Sequence, residues 1–313
     1  MAVIVVFGSI NIDLVVPVET LPRPGETVLG PGYRLLPGGK GANQALAARR
    51  AGGGPVRMIG RVGRDPFAEM ALADLAAAGV DLRGVEWDEE RPTGCALVCV
   101  DRQGRNHIVV ASGANLGVSA RQVGDDLLGP GTILLLQMEV PAAENWALVE
   151  RARARGARIL LNAAPAGPIP RKALTALDWL VVNESESVAV AAALDLPREN
   201  PQDAARAVAA AGGITTIVTL GGEGAAAFSD GQGWRIGALP IVSVDTTAAG
   251  DAFVGAFAAA LDGGADLPAA LHRASVAGGL ACLARGAQPS LPDGAAIRRR
   301  LDDLAPPAAF VPQ

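Results

Sequence analysis

Cysteine, histidine and lysine are scarce in this chain of 313 residues, and the first two scarcities each argue against a class of protein. The three cysteines, Cys95, Cys99 and Cys282, are too few and wrongly spaced for a zinc site or a disulfide framework. Cys95 and Cys99 fall on one face of a strand-like run and are expected to be buried, reduced thiols. The two histidines, His107 and His272, are isolated and lack a serine or cysteine partner, which argues against a catalytic triad. The net charge is −5 and no basic run is longer than Arg298–Arg300, so neither nucleic acid nor a membrane surface is an expected partner. No apolar run approaches the roughly 20 residues that span a bilayer. No basic, signal-like segment precedes Val3–Phe7, and a cytoplasmic location is expected. Arginine supplies nearly all the positive charge, the only lysines being Lys40 and Lys172. A lysine inside the glycine cluster 38–41 therefore suggests a place where a guanidinium would not fit.

What is present is apolar and small. Half the residues are hydrophobic while only 4% are aromatic, a balance that suits alanine-rich helices on a parallel sheet. Continuous apolar runs read as buried strands at 3–7, 56–62, 132–138, 157–162, 180–183 and 214–220. Helical patterns fall between them at about 40–50, 66–78, 142–155, 184–194 and 202–211, then at 249–262, 268–284 and 293–303. This alternation predicts an α/β fold, a mostly parallel central sheet with helices on both faces in three αβα layers. Strands in about 12–37 and 93–112 are less regularly separated by helices. They are expected to form a small β-sheet lid inserted into a single domain spanning 1–313. Pro17 marks the strand 14–18 as an edge strand at best, and residues 305–313 read as a loose tail.

Chemistry concentrates at strand ends and helix starts. In Asp245-Thr-Thr-Ala-Ala-Gly-Asp-Ala-Phe253, small residues precede a helix, so its unpaired N–H groups and positive dipole end can hold an anion. Asp251 reads either as a functional carboxylate or as a first-turn acid favoured by the dipole. Asn11 and Asp13, in a loop after the first strand, suit sugar hydroxyls or simple turn capping. Gly38-Gly-Lys-Gly-Ala-Asn43 opens a helix, with glycines for close approach, Lys40 as a point charge and Asn43 one turn in. It is not a phosphate loop of the GxxxxGK[ST] type, because glycine follows Lys40 and Arg34 stands where that motif begins. Asn183 and Glu186 share a helical face suited to a metal-bound water, and also match a capping box. Thr219–Gly224 closes a strand as either a nucleotide-cradling loop or an ordinary hairpin.

Taken in order along nearly the whole chain, these segments resemble the ribokinase-like (PfkB) carbohydrate kinases. Gly8–Asp13 resembles that family's first sugar-binding segment, and Gly38–Ala45 its N-terminal signature. Gln137–Glu139, Asn183–Glu186 and Thr219–Gly222 follow at family positions. Asp245–Phe253 resembles the C-terminal signature, and Gly286–Ser290 the ending. The resemblance implies ATP-dependent phosphorylation of ribose at its 5-hydroxyl with Asp251 as general base. It implies an anion hole at Ala248, Ala249 and Gly250, completed by the Asp251 amide, and a sugar site of Asn11, Asp13, Gly39, Lys40, Asn43, Glu139 and Asp251. The nucleotide would meet Asn183, Thr219, Gly221, Gly222, Gly224, Gly250 and Ser275. Mg²⁺ would be organised by Asn183 and Glu186, mainly through water. A potassium ion would sit among Asp245, Thr247, Ala281, Ala284, Gly286 and Ser290, mostly on backbone carbonyls. A homodimer through the lid is implied as well. Ser275 and Gly222-Glu223 depart from the family's more usual residues, which bears on nucleotide preference.

Other readings remain open at this level. Another pentose, ketohexose or nucleoside kinase of the same class is one, since pocket shape turns on lid residues the sequence does not place. A non-catalytic nucleotide or sugar sensor is opposed by the intact Gly250-Asp251 pair. A dinucleotide-dependent oxidoreductase fits the alternation, but Gly8-Ser-Ile-Asn11 has a single glycine where its fingerprint needs three.

Overall fold

A computed structural model describes residues 3–312. The chain begins β1 (Val3–Phe7), β2 (Asn11–Pro17), β3 (Arg34–Gly38), α1 (Lys40–Arg50), β4 (Val56–Gly63), α2 (Pro66–Ala77), β5 (Asp81–Asp88), β6 (Gly94–Val100) and β7 (Asn106–Ala111). It continues through β8 (Thr132–Leu136), α3 (Ala142–Ala154), β9 (Arg158–Asn162), α4 (Arg171–Leu174), β10 (Trp179–Asn183), α5 (Glu184–Ala193), α6 (Pro201–Gly212) and β11 (Thr215–Thr219). It closes with β12 (Ala225–Ser229), β13 (Gln232–Ile236), α7 (Ala249–Asp262), α8 (Leu267–Ala281), α9 (Gly294–Arg299) and β14 (Ala308–Phe310).

A ten-stranded sheet runs in the order β14-β13-β12-β11-β10-β9-β8-β1-β4-β5. It is parallel from β11 to β5 and antiparallel across β12, β13 and β14. Both faces are covered, which explains the unbroken apolar runs. Along β1, Ile4 and Val6 join one buried cluster with Leu46, Phe253 and Phe257, while Val5 and Phe7 join the other with Leu148, Ala191 and Val208. Progression along the sheet reverses between β1 and β8, so the segments leaving these strands open a crevice at their carboxyl ends. Gly8–Ile10 and Gln137–Glu139 leave there.

Helices α1 and α7 cross tightly above that crevice. A Cβ on Gly255 would lie 2.5 Å from Ala47 Cβ and 2.7 Å from Ala48 N, so only glycine lets the two backbones approach this closely. The approach brings the first turn of α1 onto the first turn of α7.

A separate four-stranded sheet has the order β3-β2-β6-β7. Its outer strand β7 is exposed along its length, with Ile108, Val109 and Val110 facing out. Several expectations change here. Asn11 and Asp13 are not loop residues but begin β2, because Asn11 pairs with Gly38 on one side and Gly94 on the other. β2 is interior to its sheet rather than an edge strand, and Pro17 is tolerated because it is the strand's last residue. Extension between 27 and 38 is limited to Arg34–Gly38, since proline and glycine interrupt what precedes it. The expected loose tail instead supplies β14, whose Ala308, Ala309 and Phe310 pair with β13. Phe310 packs edge-on against Phe228 at 6.0 Å, which gives that segment an apolar anchor. Cys95 and Cys99 are free thiols but half-buried, because their side of the small sheet is only partly covered.

Candidate active site

The first turn of α7 follows Ala248, a non-glycine residue in the left-handed region at φ 59°. No side chain caps this helix. The Ala249 N–H turns back to the Thr246 carbonyl at 3.2 Å, and the amides of Gly250 and Asp251 follow it at the positive end of the dipole. Asp251 is buried, and both its oxygens accept side-chain amides from α1. Asn43 Nδ2 donates to Oδ2 and Gln44 Nε2 to Oδ1, each at 2.9 Å. Burial pushes the Asp251 carboxyl above its ordinary range, Lys40 and the two amides pull it down, and Glu139 adds to the rise.

Residues that the sequence scatters over more than two hundred positions surround this carboxylate. Glu139 Oε2 accepts from Ser9 Oγ at 2.5 Å and from the Lys40 backbone N–H at 3.0 Å. Asn11 Oδ1 accepts from Asn115 Nδ2 at 2.7 Å, which fixes the Asn11 amide with its own NH₂ free to donate. Asp13 lies against Gly38, and its pKa is raised to about 6 by burial and by the charges of Glu139 and Asp251, with Lys40 opposing. Burial works against a charged Lys40, yet Asp251, Glu139, Glu186 and Asp13 together hold its ammonium above the ordinary lysine range. One cation among four carboxylates makes a polar pocket with hydrogen-bonding capacity on several sides, the chemistry that a polyhydroxy substrate requires.

Next to it lies a cavity of about 460 Å³ lined by Thr219, Gly221, Gly222, Gly224, Gly250 and Ser275 together with Leu239, Ile241 and Phe253. The two compartments adjoin at the Gly250-Asp251 bond. The cavity wall is mainly apolar, as a nucleobase or comparable flat ring requires. Ser275 Oγ is buried there without a hydrogen-bond partner. Sequence reasoning missed Leu239, Ile241 and Phe253, whose hydrophobicity is indistinguishable from that of core residues. Asn183 does not line this cavity.

Asn183 and Glu186 form a reciprocal capping box at the start of α5, with Asn183 Oδ1 accepting from Glu186 N and Glu186 Oε2 accepting from Asn183 N, both at 2.8 Å. Glu186 is raised by burial, with the Asn183 N–H and Lys40 opposing, so it faces the same field as Asp251. Among the described residues no three His, Cys, Asp or Glu side chains cluster as a metal cage. Beside the α7 start, Asp245 ties two loops together. Its Oδ1 accepts from Thr247 N and Oγ1 at 3.0 and 2.7 Å, and its Oδ2 from Gly286 N at 2.9 Å. These donors outweigh burial and hold Asp245 below its ordinary range. The Cys282 carbonyl accepts from Val244 N at 2.8 Å and so pins the same two loops. Thr247 and Gly286 thus meet through Asp245.

An uncapped helix start that carries a buried carboxylate between a polar pocket and an apolar cleft suits group transfer between two small molecules. The chain belongs to the pfkB family of carbohydrate kinases, whose family model matches residues 1–294. It is a sugar kinase. It is 33% identical over 293 residues to the ribokinase of Staphylococcus aureus, covering 92% of this chain and 96% of that one. The deoxyribokinase of Salmonella typhi is 31% identical over 292 residues, covering 92% and 95%. Among solved structures, the ribokinase of Thermotoga maritima superposes with a TM-score of 0.89 at 31% identity, covering 96% of this chain and 100% of that one. The Arabidopsis thaliana ribokinase complexed with ribose and ATP gives 0.85 at 33% identity, covering 96% and 99%.

Proposed function

We propose that this chain transfers the γ-phosphoryl group of ATP to the 5-hydroxyl of ribose, giving ribose 5-phosphate and ADP. The observation that carries the reading is the Asp251 carboxylate. It is buried, acceptor-only toward two amides, and set at the helix start where the polar and apolar compartments adjoin. The sugar lies in the polar compartment on Asn11, Asp13, Gly39, Lys40, Asn43 and Glu139. Its reactive hydroxyl faces Asp251, which accepts the proton as the oxygen attacks phosphorus and the bond to the ADP oxygen breaks. The amides at 248–251 stabilise the charge that develops on the transferred group, chiefly those of Gly250 and Asp251, since the Ala249 N–H already turns to the Thr246 carbonyl. The base and ribose of ATP occupy the cleft between Thr219–Gly224 and Ser275, with Asn183 toward the phosphates.

Mg²⁺, when bound through water to Glu186 and Asn183, would neutralise phosphate charge. Potassium on the carbonyls and side chains of Asp245, Thr247, Ala281, Ala284, Gly286 and Ser290 would supply positive field beside the α7 start. The small sheet acts as a lid that excludes water from the sugar. Its exposed apolar strand β7 supports pairing with a second copy, which sedimentation would detect as a dimer mass.

The test is a coupled ADP-release assay across ribose, deoxyribose, fructose, fructose 6-phosphate and adenosine. Ribose is expected to give the highest kcat/KM. A different best substrate overturns ribose while leaving the sugar kinase assignment in place, and deoxyribose is the competitor that the relatives favour.

A further inference from the structure

Joined to Asp251 is a chain of buried side-chain amides that the proposed reaction does not use. Gln44 and Gln137 have no exposed surface, and Asn162 is almost as deep. Gln44 Nε2 donates to both Asp251 Oδ1 and Asn162 Oδ1 at 2.9 Å, while Gln44 Oε1 accepts from Gln137 Nε2 at 2.8 Å. The direction of this chain is set at its far end. Asn162 Nδ2 donates to the Val181 carbonyl at 3.1 Å, and a backbone carbonyl can only accept. Asn162 must therefore turn its oxygen to Gln44, and Gln44 must turn its NH₂ to Asp251. A flipped Gln44 would set its oxygen against two other oxygens and its nitrogen against the Gln137 NH₂.

Gln137 is itself immobilised. Its backbone carbonyl accepts from Asn145 Nδ2 at 2.7 Å. A Cβ at position 8 would lie 1.9 Å from Gln137 Oε1, so the Gln137 amide fills the space that a side chain at Gly8 would need. Gln137 Oε1 has no partner, but the bonds to Asp251, Asn162 and Gln137 leave Gln44 a single orientation, and a buried donor so fixed favours the ionised carboxylate.

We propose that Gln44, locked by Gln137 and Asn162, is the positioning residue for Asp251, holding its carboxylate ionised and in a single orientation while touching neither sugar nor nucleotide. This inference rests on the assignment of Asp251 as the base. Charged groups face Asp251 from each neighbouring element: Lys40 on α1, Glu139 after β8, Asp13 on β2 and Glu186 on α5. None is altered by a change at Gln44, so any change in proton affinity reports the missing amide.

The experiment compares Gln44→Met, which keeps length but has no donor, with Gln137→Met and the double variant. For Gln44→Met, kcat is expected to fall about 10- to 100-fold, the effect of losing one hydrogen bond to a charged group. KM for sugar and for ATP should stay within about threefold, because neither substrate is touched. The acid limb of the kcat–pH profile should move up by about one pH unit, since an ionised base without its donor binds a proton more tightly. Gln137→Met should act in the same direction but less, and the double variant should lose no more than Gln44→Met alone. A well-folded Gln44→Met with kcat within about twofold of the parent overturns the proposal. So does a loss of kcat with an unmoved acid limb, which would mark a packing defect. If Gln44→Met does not fold, Gln137→Met decides, and an unmoved acid limb there is equally fatal. Absence of ribose turnover in the parent protein sinks the substrate assignment alone, and the variants are then read with whichever sugar the parent phosphorylates.

Discussion

Replacing Asp13 with asparagine separates what the polar pocket costs the fold from what it does for the sugar. Asp13 is raised from an ordinary 3.8 to about 6, first by burial and then by the charges of Glu139 and Asp251. A carboxyl raised in the folded state destabilises that state once it is ionised. Below about pH 4 it is neutral whether folded or unfolded, and no penalty exists. Between there and about 6 the unfolded chain ionises while the folded one stays protonated, so stability falls, and above about 6 the penalty is complete. The displacement from 3.8 to about 6 sets an upper limit of about 3 kcal/mol. Relaxation and partial solvent access reduce this to roughly 1–2 kcal/mol. Asp13→Asn is near-isosteric and removes the charge, so at pH 8 the variant should be more stable than the parent by that amount. The advantage should vanish by about pH 4. Sugar binding should move the opposite way, weakening roughly 10- to 100-fold as a charged acceptor is lost. Urea unfolding at pH 4, 6 and 8, with sugar binding by calorimetry at pH 8, measures both. A variant no more stable than the parent at pH 8, or a gap that does not shrink toward pH 4, would refute the electrostatic account of this pocket.

Three further outcomes follow from the same geometry. Asp251→Asn should bind sugar and ATP normally yet lose about 10²- to 10⁴-fold or more in kcat, as expected for removal of a general base; near-normal turnover would exclude Asp251 from that role. Replacing sodium by potassium in the assay should raise turnover, and indifference to the exchange would remove the proposed site around Asp245. Phe257 is fully buried, edge-on to Trp179 at 6.3 Å and stacked on Phe253 at 6.4 Å. Phe257→Ala should therefore cost about 3–5 kcal/mol in denaturant unfolding, and a loss under about 1 kcal/mol would show that α7 can collapse onto the gap.

Much of the architecture was legible in the order of residues because it depends on local patterns. Unbroken apolar runs such as Ile133–Leu136 mark strands buried on both faces, and alanine-rich stretches after glycine mark helices whose starts lie at strand ends. Glycine clusters and lone carboxylates at those starts located the motif residues around 11–13, 38–43 and 245–251. The errors arose where a distant partner decides the conformation. Asn11 and Asp13 look like turn residues until Gly38 and Gly94 pair on either side of them. The last residues look unstructured until β13 offers an open edge.

The amino-acid sequence by itself determined which carboxylates, amides and glycines were available for chemistry and which element each would terminate. It could not say that Gln44, one residue beyond Asn43 and quoted only as part of a motif, would meet Asp251. That contact spans 207 positions and exists because Gly255 lets α1 and α7 touch. Nor could it show that Lys40 would lie among four carboxylates, or that Gly250 would mark the meeting of two compartments. Hydrogen bonds and Coulomb interactions act over a few ångströms, so their partners are set by packing. Hydrophobic periodicity is carried by neighbours in the chain, and it can be read before anything folds.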